Sequence, residues 1–301
     1  MKPRNSHYLR WRSRMRSIPQ IVGCFAVLFF LMMDRSEPVN AQTYEAISPV
    51  DVKPFMNGEK LKYKVKWGFF NLGSAEVSQG LLQDAGDDMF CLSAQTQSAP
   101  WLPFVHVDFE DSALLRSDHP SNLWFHFVDN RSKSWATYSH DSGSTSLLMK
   151  GCDQEEDSVT KTLDEKSPVY DALGLFMLIR ELSGSGLEVK VPVVVDYKLK
   201  SIELKFPRGT EAIRVPAFKG RILAHRFESM GNWSDKYADG AHATVTGWVS
   251  AHSAAVPLIF KMKILVGSID VKLASYVRPG WIPPTVPSST EIEAAVDARN
   301  K

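Results

Sequence analysis

From Lys60 to Trp67 the chain alternates without a break, with lysines at 60, 62, 64 and 66 and Leu61, Tyr63, Val65 and Trp67 between or after them. Successive side chains of a β-strand point to opposite faces, so this period of two sends the four apolar residues to a core and the lysines to solvent. A helix would scatter the same lysines around its circumference. The segment is therefore predicted to be a half-buried strand of an antiparallel sheet with one wet face. Asn71-Leu72-Gly73 reads as the following turn, with Phe69-Phe70 at a hairpin tip and Ser74 to Leu82 as the return strand.

Short strand-like segments then recur at Met89–Ser98, Val105–Glu110, Leu123–Val128, Lys133–Ser139 and Thr145–Lys150. They resume at Glu188–Val195, Leu199–Phe206, Glu211–Val215, Arg221–Glu228, Thr244–Ser250, Leu258–Val266 and Ser268–Tyr276. Many short strands separated by turn residues imply a mainly β fold: an antiparallel curved sheet, barrel or half-barrel like. Residues 168–182 break the alternation. Leu175, Leu178, Ile179 and Leu182 follow helical spacing, Ser167 and Pro168 suit a helix start, and Ser183-Gly184-Ser185-Gly186 suits a stop. One packed helix at about 168–182 is expected to plug or back the sheet. Asp171 would lie in its first turn, complementing the helix dipole.

The first 41 residues read as a signal peptide. Arg4, Arg10, Arg12, Arg14 and Arg16 precede an apolar run from Ile18 to Met33, which suits a signal core and is short for a membrane span. Val39-Asn40-Ala41 offers small residues at a cleavage site, so that Gln42 would begin the mature chain; Met15 is an alternative start, and an uncleaved anchor is the structural alternative. Ile21-Val22-Gly23-Cys24 matches a lipoprotein pattern, but most of the apolar run follows the cysteine, so the match reads as chance. The expected organisation is 1–41 signal peptide, 42–54 extended lead-in, 55–277 a single mainly β domain and 278–301 a Pro-rich, disordered tail. The expected location is periplasmic or secreted, with no transmembrane segment once the signal is removed.

Of the 35 basic and 34 acidic residues, residues 1–41 hold 7 and 2, which leaves a mature net charge of −4. With no basic stripe in the linear sequence, nucleic acid is not expected as a partner. About 260 residues bury a large core without staples. Cys91 and Cys152 remain after signal removal; in an oxidising compartment they can form a disulfide, and two buried thiols are the alternative.

Gly58 to Gly68 (GEKLKYKVKWG) with Gly73-Ser74-Ala75-Glu76-Val77 resembles the opening of the bacterial domain-of-unknown-function family 3108. Tyr170-Asp171-Ala172-Leu173 through Arg180 is similar to that family's middle helix. Trp248-Val249-Ser250, Pro257-Leu258 and Gly267 to Leu273 are similar to its closing hairpin. The resemblance covers roughly residues 55–277 and implies an exported, largely antiparallel β domain of bacterial envelopes. It brings no activity, cofactor or catalytic residue.

The residues themselves mark no catalytic centre, cofactor site or metal site. Seven histidines follow the leader (His106, His119, His126, His140, His225, His242 and His252), with no helical His pair and no His-x-His. His106 with Asp108 and His126 with Asp129 could join a site assembled in space. Asp108, Glu110 and Asp111 could include paired carboxylates, although solvated acids around a strand end are the simpler reading. No nucleophile elbow or phosphate-binding glycine loop is present.

Aromatic residues on loops stand out instead: Trp101 and Phe104 in a stiff Pro-flanked segment, Phe69 and Phe70 at a hairpin tip, and Trp281 in the tail. Such rings are unfavourable in water unless covered, either by folding back on the core or by a ligand. The leading expectation is a non-catalytic envelope protein that binds a lipid or other amphiphile, with Trp101, Phe104, Phe69 and Phe70 as ligand contacts and an apolar groove between sheet and helix. A structural module docking on an envelope protein partner is the alternative, and a cell-wall or lipid hydrolase the second.

Overall fold

The computed structural model describes residues 53–82, 89–103, 106–116, 119–141, 144–150, 159–163, 169–195, 198–231, 243–264 and 267–286. Residues 1–52, Phe104, Cys152, Ser167, Pro168 and the last fifteen residues lie outside these.

Strand β1 (Glu59–Trp67) buries Leu61, Tyr63 and Val65 and exposes all four lysines, as the alternation requires. Trp67 departs from the pattern and is 40% exposed. The register with β2 (Phe70–Leu82) shifts between Val65 and Lys66, and Trp67 closes the hairpin opposite Phe70. That shift turns the end of β1 off the core face. The turn is Gly68-Phe69 rather than Asn71–Gly73, and the positive φ of Gly68 (57°) supplies the backbone that a two-residue hairpin needs.

The sheet continues through β3 (Met89–Ser98), β4 (Asp108–Arg116), β5 (His119–Asp129), β6 (Ser134–Asp141), β7 (Ser144–Lys150) and β8 (Val159–Leu163). The second half runs through β9 (Glu188–Val195), β10 (Lys198–Lys205), β11 (Glu211–Arg214), β12 (Arg221–Gly231), β13 (Ala243–Ser250), β14 (Pro257–Lys263), β15 (Ser268–Val277) and β16 (Thr285–Val286). All lie in one sheet of order β8-β7-β6-β5-β4-β3-β2-β1-β15-β14-β13-β12-β10-β9, with β11 and β16 both on β12. Every strand pairing is antiparallel, and register shifts in β1, β4 and β13 bend the sheet around its core. The expected mainly β, antiparallel curved sheet is the architecture found, with one helix among the described residues.

Helix α1 (Ala172–Leu182) connects the β8 side of the sheet to the β9 side and lies against β3, β4 and β5. It begins later than its apolar spacing suggested. Its N-cap is Asp171, whose Oδ1 accepts from the Gly174 amide at 2.6 Å, so Asp171 caps the helix rather than sitting in its first turn. Before the cap, Tyr170 pairs with the edge of β9 (Tyr170 N to Pro192 O 3.0 Å, Val194 N to Tyr170 O 3.0 Å), covering an otherwise open strand edge. The helix ends at Ser183, with Gly184 at φ 74°.

Leu173 through Arg180 and Leu182 are buried, so α1 is enclosed on nearly every side rather than on one apolar stripe. It lies against the inner side of β3, β4 and β5, where it backs the sheet. Ala94 and Ala113 on β3 and β4 are among the small inward side chains that let it approach.

The fold also extends past residue 277. Arg278 and Trp281 are buried, Trp281 packs edge-on to Tyr276 (4.9 Å) and Phe218 (6.0 Å), and β16 pairs with β12. Within the Pro-rich tail expected from 278, residues 278–286 are attached to the sheet in this way. The prolines prevented regular structure without preventing attachment, because one large ring had a core surface to cover.

Candidate functional site

The hairpin turn Gly68-Phe69 and the β3–β4 loop meet at one end of the sheet. There Phe69 is 85%, Trp101 54%, Phe70 43% and Trp67 40% exposed. The rings form one chain of contacts: Phe69 to Phe70 at 4.2 Å, Trp67 to Phe70 at 6.2 Å and Phe70 to Trp101 at 6.3 Å between centroids. Local structure fixes each ring. Phe69 occupies the second turn position and has no strand partner to lie on. Trp101 follows Ala99, which is anchored to β2 through its amide (to Leu72 O, 2.8 Å) and accepts from Leu102 N at 3.1 Å, a tight turn that carries the indole outward. Three of the four residues singled out from sequence, Phe69, Phe70 and Trp101, are thus brought together; Phe104 lies outside the described residues. Trp67, assigned from sequence to the core, joins them.

Inside the sheet is a second arrangement that the sequence reading missed. Asp111, read as one of several solvated acids, points inward from β4 and is buried with both carboxylate oxygens lacking a hydrogen-bond partner. Its neighbour is the helix cap Asp171, also buried. Burial, reinforced by the charge of Asp171, pushes the Asp111 carboxyl well above its ordinary range. Burial likewise raises Asp171 to about 7, against the amide hydrogen bond from Gly174 and the Tyr138 hydroxyl, which lower it. Tyr138 from β6 is directed at Asp171, and burial followed by that carboxylate raises its phenol. The sequence held the necessary signal: Asp111 shares the inward frame of Phe109, Ala113 and Leu115.

At the opposite end, Glu59 at the start of β1 is buried between two arginines. Arg180 of α1 grips it with both terminal nitrogens (Nη1 to Oε2 2.7 Å, Nη2 to Oε1 3.1 Å) and donates to the carbonyls of Ala254 (2.9 Å) and Ala255 (3.0 Å). Arg278 donates to Glu59 Oε1 and to the carbonyls of Lys53 (2.6 Å) and Pro54 (3.3 Å). Gln79 donates to Glu59 Oε2 and to Pro54 O (3.1 Å). Burial alone would raise the Glu59 carboxyl; the guanidiniums, Arg180 foremost, outweigh it and hold the group below its usual range. This knot ties the lead-in, β1, α1, the β13–β14 connection and the tail together, and its donors already have acceptors. It is a structural clamp.

The other chemistry-bearing residues disperse. His106 is exposed, its carbonyl held by Arg131 Nη1 at 2.9 Å. His126 bonds Thr137 (2.6 Å) and stacks on Trp124 (5.8 Å) on the outer face, with its imidazole pKa lowered by burial. Asp129 accepts from Arg131 N, Ser132 N and Ser132 Oγ within its own turn. Asp108 and Glu110 face outward, away from Asp111. Among the described residues, no group of three or more His, Cys, Asp or Glu side chains could hold a metal ion. Cys91 is exposed on β3, so it is not a buried thiol; Cys152 lies outside the described residues.

The family model described as Protein of unknown function (DUF3108) matches residues 62–274. No curated protein matches the chain. Among solved structures, it is similar to a beta-barrel-like protein of domain of unknown function DUF1849 from Brucella abortus, at 10% identity and TM-score 0.49, over 74% of this chain and 98% of that one. It is also similar to a Bacteroides fragilis protein named as a candidate exported protein with a YmcC-like fold, at 8% identity and TM-score 0.35, over 75% and 99% of the two chains.

Proposed function

The chain belongs to the DUF3108 family of proteins of unknown function, and from that premise we propose that it is a non-catalytic, exported envelope protein that binds a lipid or other amphiphile at the aromatic end of its sheet. The observation that carries the proposal is the exposure of Trp67, Phe69, Phe70 and Trp101 as one contiguous set of rings. Exposed apolar side chains scattered singly are ordinary; four joined on two loops are not, and burying them is their most favourable outcome. The leader in residues 1–41 supports a periplasmic or secreted location.

The proposed binding surface is the outer end, where these rings are exposed. Engagement is peripheral. Among the described residues no helix is long and apolar enough to cross a membrane. The outward residues of β1, β2 and β3 include Lys60, Lys62, Lys64, Lys66, Ser74, Gln95 and Gln97, which form no apolar belt for lipid tails. A hydrolytic role finds no support in the acid pair, since Asp111 and Asp171 lie buried beside α1.

The test is flotation of the purified protein with phosphatidylcholine vesicles. Burial of one large ring is worth about 1.5–3 kcal/mol, so the double variant F69S/W101A is expected to bind at least roughly tenfold more weakly, with an unchanged melting temperature. Equal binding by variant and parent contradicts the proposal. Loss of a captured envelope protein in the same variant, with no vesicle binding by the parent, favours the docking-module reading instead.

A further inference from the structure

Pairing of three strands distant in sequence builds a basic surface beside the aromatic end. Lys60, Lys62, Lys64 and Lys66 point outward from β1, Lys272 from β15 and Lys261 and Lys263 from β14, three adjacent strands of the sheet. The register places Lys64 directly opposite Lys272, and sets Asp270 between Lys66 and Lys261. Among the described residues, two acids answer these lysines on this face: Glu76 reaches Lys62 (2.9 Å) and Asp270 reaches Lys272 (2.9 Å). Among the described residues, Lys64, Lys66, Lys261 and Lys263 have no ion-pair partner.

Adjacent strands lie about 4.8 Å apart and alternate outward residues about 6.6 Å apart. Each of Lys64, Lys66, Lys261, Lys263 and Lys272 therefore falls within roughly one Debye length of at least one other. Like charges directly opposite on a sheet face destabilise it. The fold gains nothing from Lys64 facing Lys272, whereas a negatively charged surface would. Lys66 adjoins Trp67, and Lys263 lies opposite Ser268, next to the Gly267 turn that approaches the Trp67 indole. The basic face thus runs directly into the aromatic end. On the other flank of that end, β4 carries Asp108 and Glu110 outward, so the charge is lopsided.

We infer that this face seats anionic lipid headgroups, so that the protein docks on a negatively charged membrane surface with the β14–β15–β1 side turned toward the headgroups and the four rings in the interfacial layer. The inference rests on the aromatic end being the binding end and adds the charge class of the lipid and the orientation of the protein on it. Rings with adjacent lysines match the two layers of a bilayer interface: an apolar-to-polar boundary for Trp and Phe, and phosphate just above it for lysine.

The experiment compares vesicles of phosphatidylcholine with vesicles containing equal phosphatidylglycerol, using the parent, F69S/W101A, the charge-reversed K64E/K66E/K263E and the neutral K64Q/K66Q/K263Q. The parent is expected to bind anionic vesicles at least roughly tenfold more tightly, with the preference fading as salt rises. Both lysine variants should lose that preference while keeping the parent's affinity for phosphatidylcholine. Equal binding of the parent to both vesicles, or an unchanged preference in both lysine variants, overturns the anionic-lipid inference and leaves the aromatic reading standing if F69S/W101A still binds weakly. Tighter binding to heparin or single-stranded DNA than to anionic vesicles overturns membrane lipid as the occupant. No binding to either vesicle overturns both readings.

Discussion

Replacing Glu59 with Gln is expected to destabilise the protein by about 3–5 kcal/mol, because it leaves Arg180 and Arg278 buried without their shared counter-ion. For a domain of this size the melting temperature should fall on the order of 10 °C. Arg278→Gln should be distinctly milder, since Arg180 keeps its fork on Glu59 and its two carbonyl acceptors. The pH dependence separates lost charge from lost packing. The folded Glu59 carboxyl lies below its unfolded value, so its contribution is complete above the ordinary carboxylate range and disappears as pH falls through the folded value. E59Q should therefore differ most from the parent at neutral pH and converge with it in acid. Urea unfolding at neutral and strongly acidic pH measures both; an E59Q protein as stable as the parent at neutral pH would show that the clamp contributes nothing.

Replacing Asp111 with Asn should have the opposite sign. Asp111 and Asp171 both have folded values above their unfolded ones, so the native state holds protons that the unfolded chain releases. Their contribution is complete below about pH 4 and is lost as pH rises, through about 7 for Asp171. The parent should accordingly lose stability from weakly acidic to mildly alkaline pH. Asn keeps the shape of the protonated acid and cannot ionise. D111N is expected to match the parent near pH 4 and to be the more stable of the two at pH 8. Its amide also offers a donor close to the Asp171 carboxylate. Urea midpoints across that range, parent against D111N, give the measurement. A parent whose stability is flat from pH 4 to 8 would mean that Asp111 is not sealed from water.

The two predictions concern the residues that the sequence reading missed, and for one reason. Glu59 precedes Leu61, Tyr63 and Val65 in the same inward frame, and Asp111 sits within Phe109, Ala113 and Leu115 in theirs. Glu59 lies one step before the alternation read from Lys60, and Asp111 one residue beyond the strand read at Val105–Glu110, where solvated acids were the simpler reading because burying a carboxylate is unfavourable. For Glu59 the partners that reverse that balance, Arg180 and Arg278, lie far away in the chain; Asp111 has none, and burial beside Asp171 favours its protonated form instead. β8 escaped notice because Val159–Leu163 alternates weakly. The alternating lysines of β1 were plain, but the basic face they form with Lys261, Lys263 and Lys272 depends on the β1–β15–β14 pairing.

What local chemistry decides was legible: the strands, the antiparallel class, the helix stop at Ser183 and Gly184, and the hairpin tip with Phe69. The clustering of Phe69 and Phe70 with Trp101 was not, because it needs β2 and β3 in register, with Gly73 beside Ser98. Gly73 itself has no room for a side chain there, since a Cβ would run into the Gln97 carbonyl oxygen.

The most direct measurement is quenching of tryptophan emission by vesicles with brominated acyl chains, for the parent against W101F. The substitution keeps an apolar ring and removes one reporter, so the difference between the two proteins isolates Trp101. If the aromatic end enters the lipid interface, brominated vesicles will quench a component of the parent's emission that W101F lacks. Identical quenching of both proteins, or none in either while they remain bound to vesicles, would show that the membrane meets some other part of the molecule.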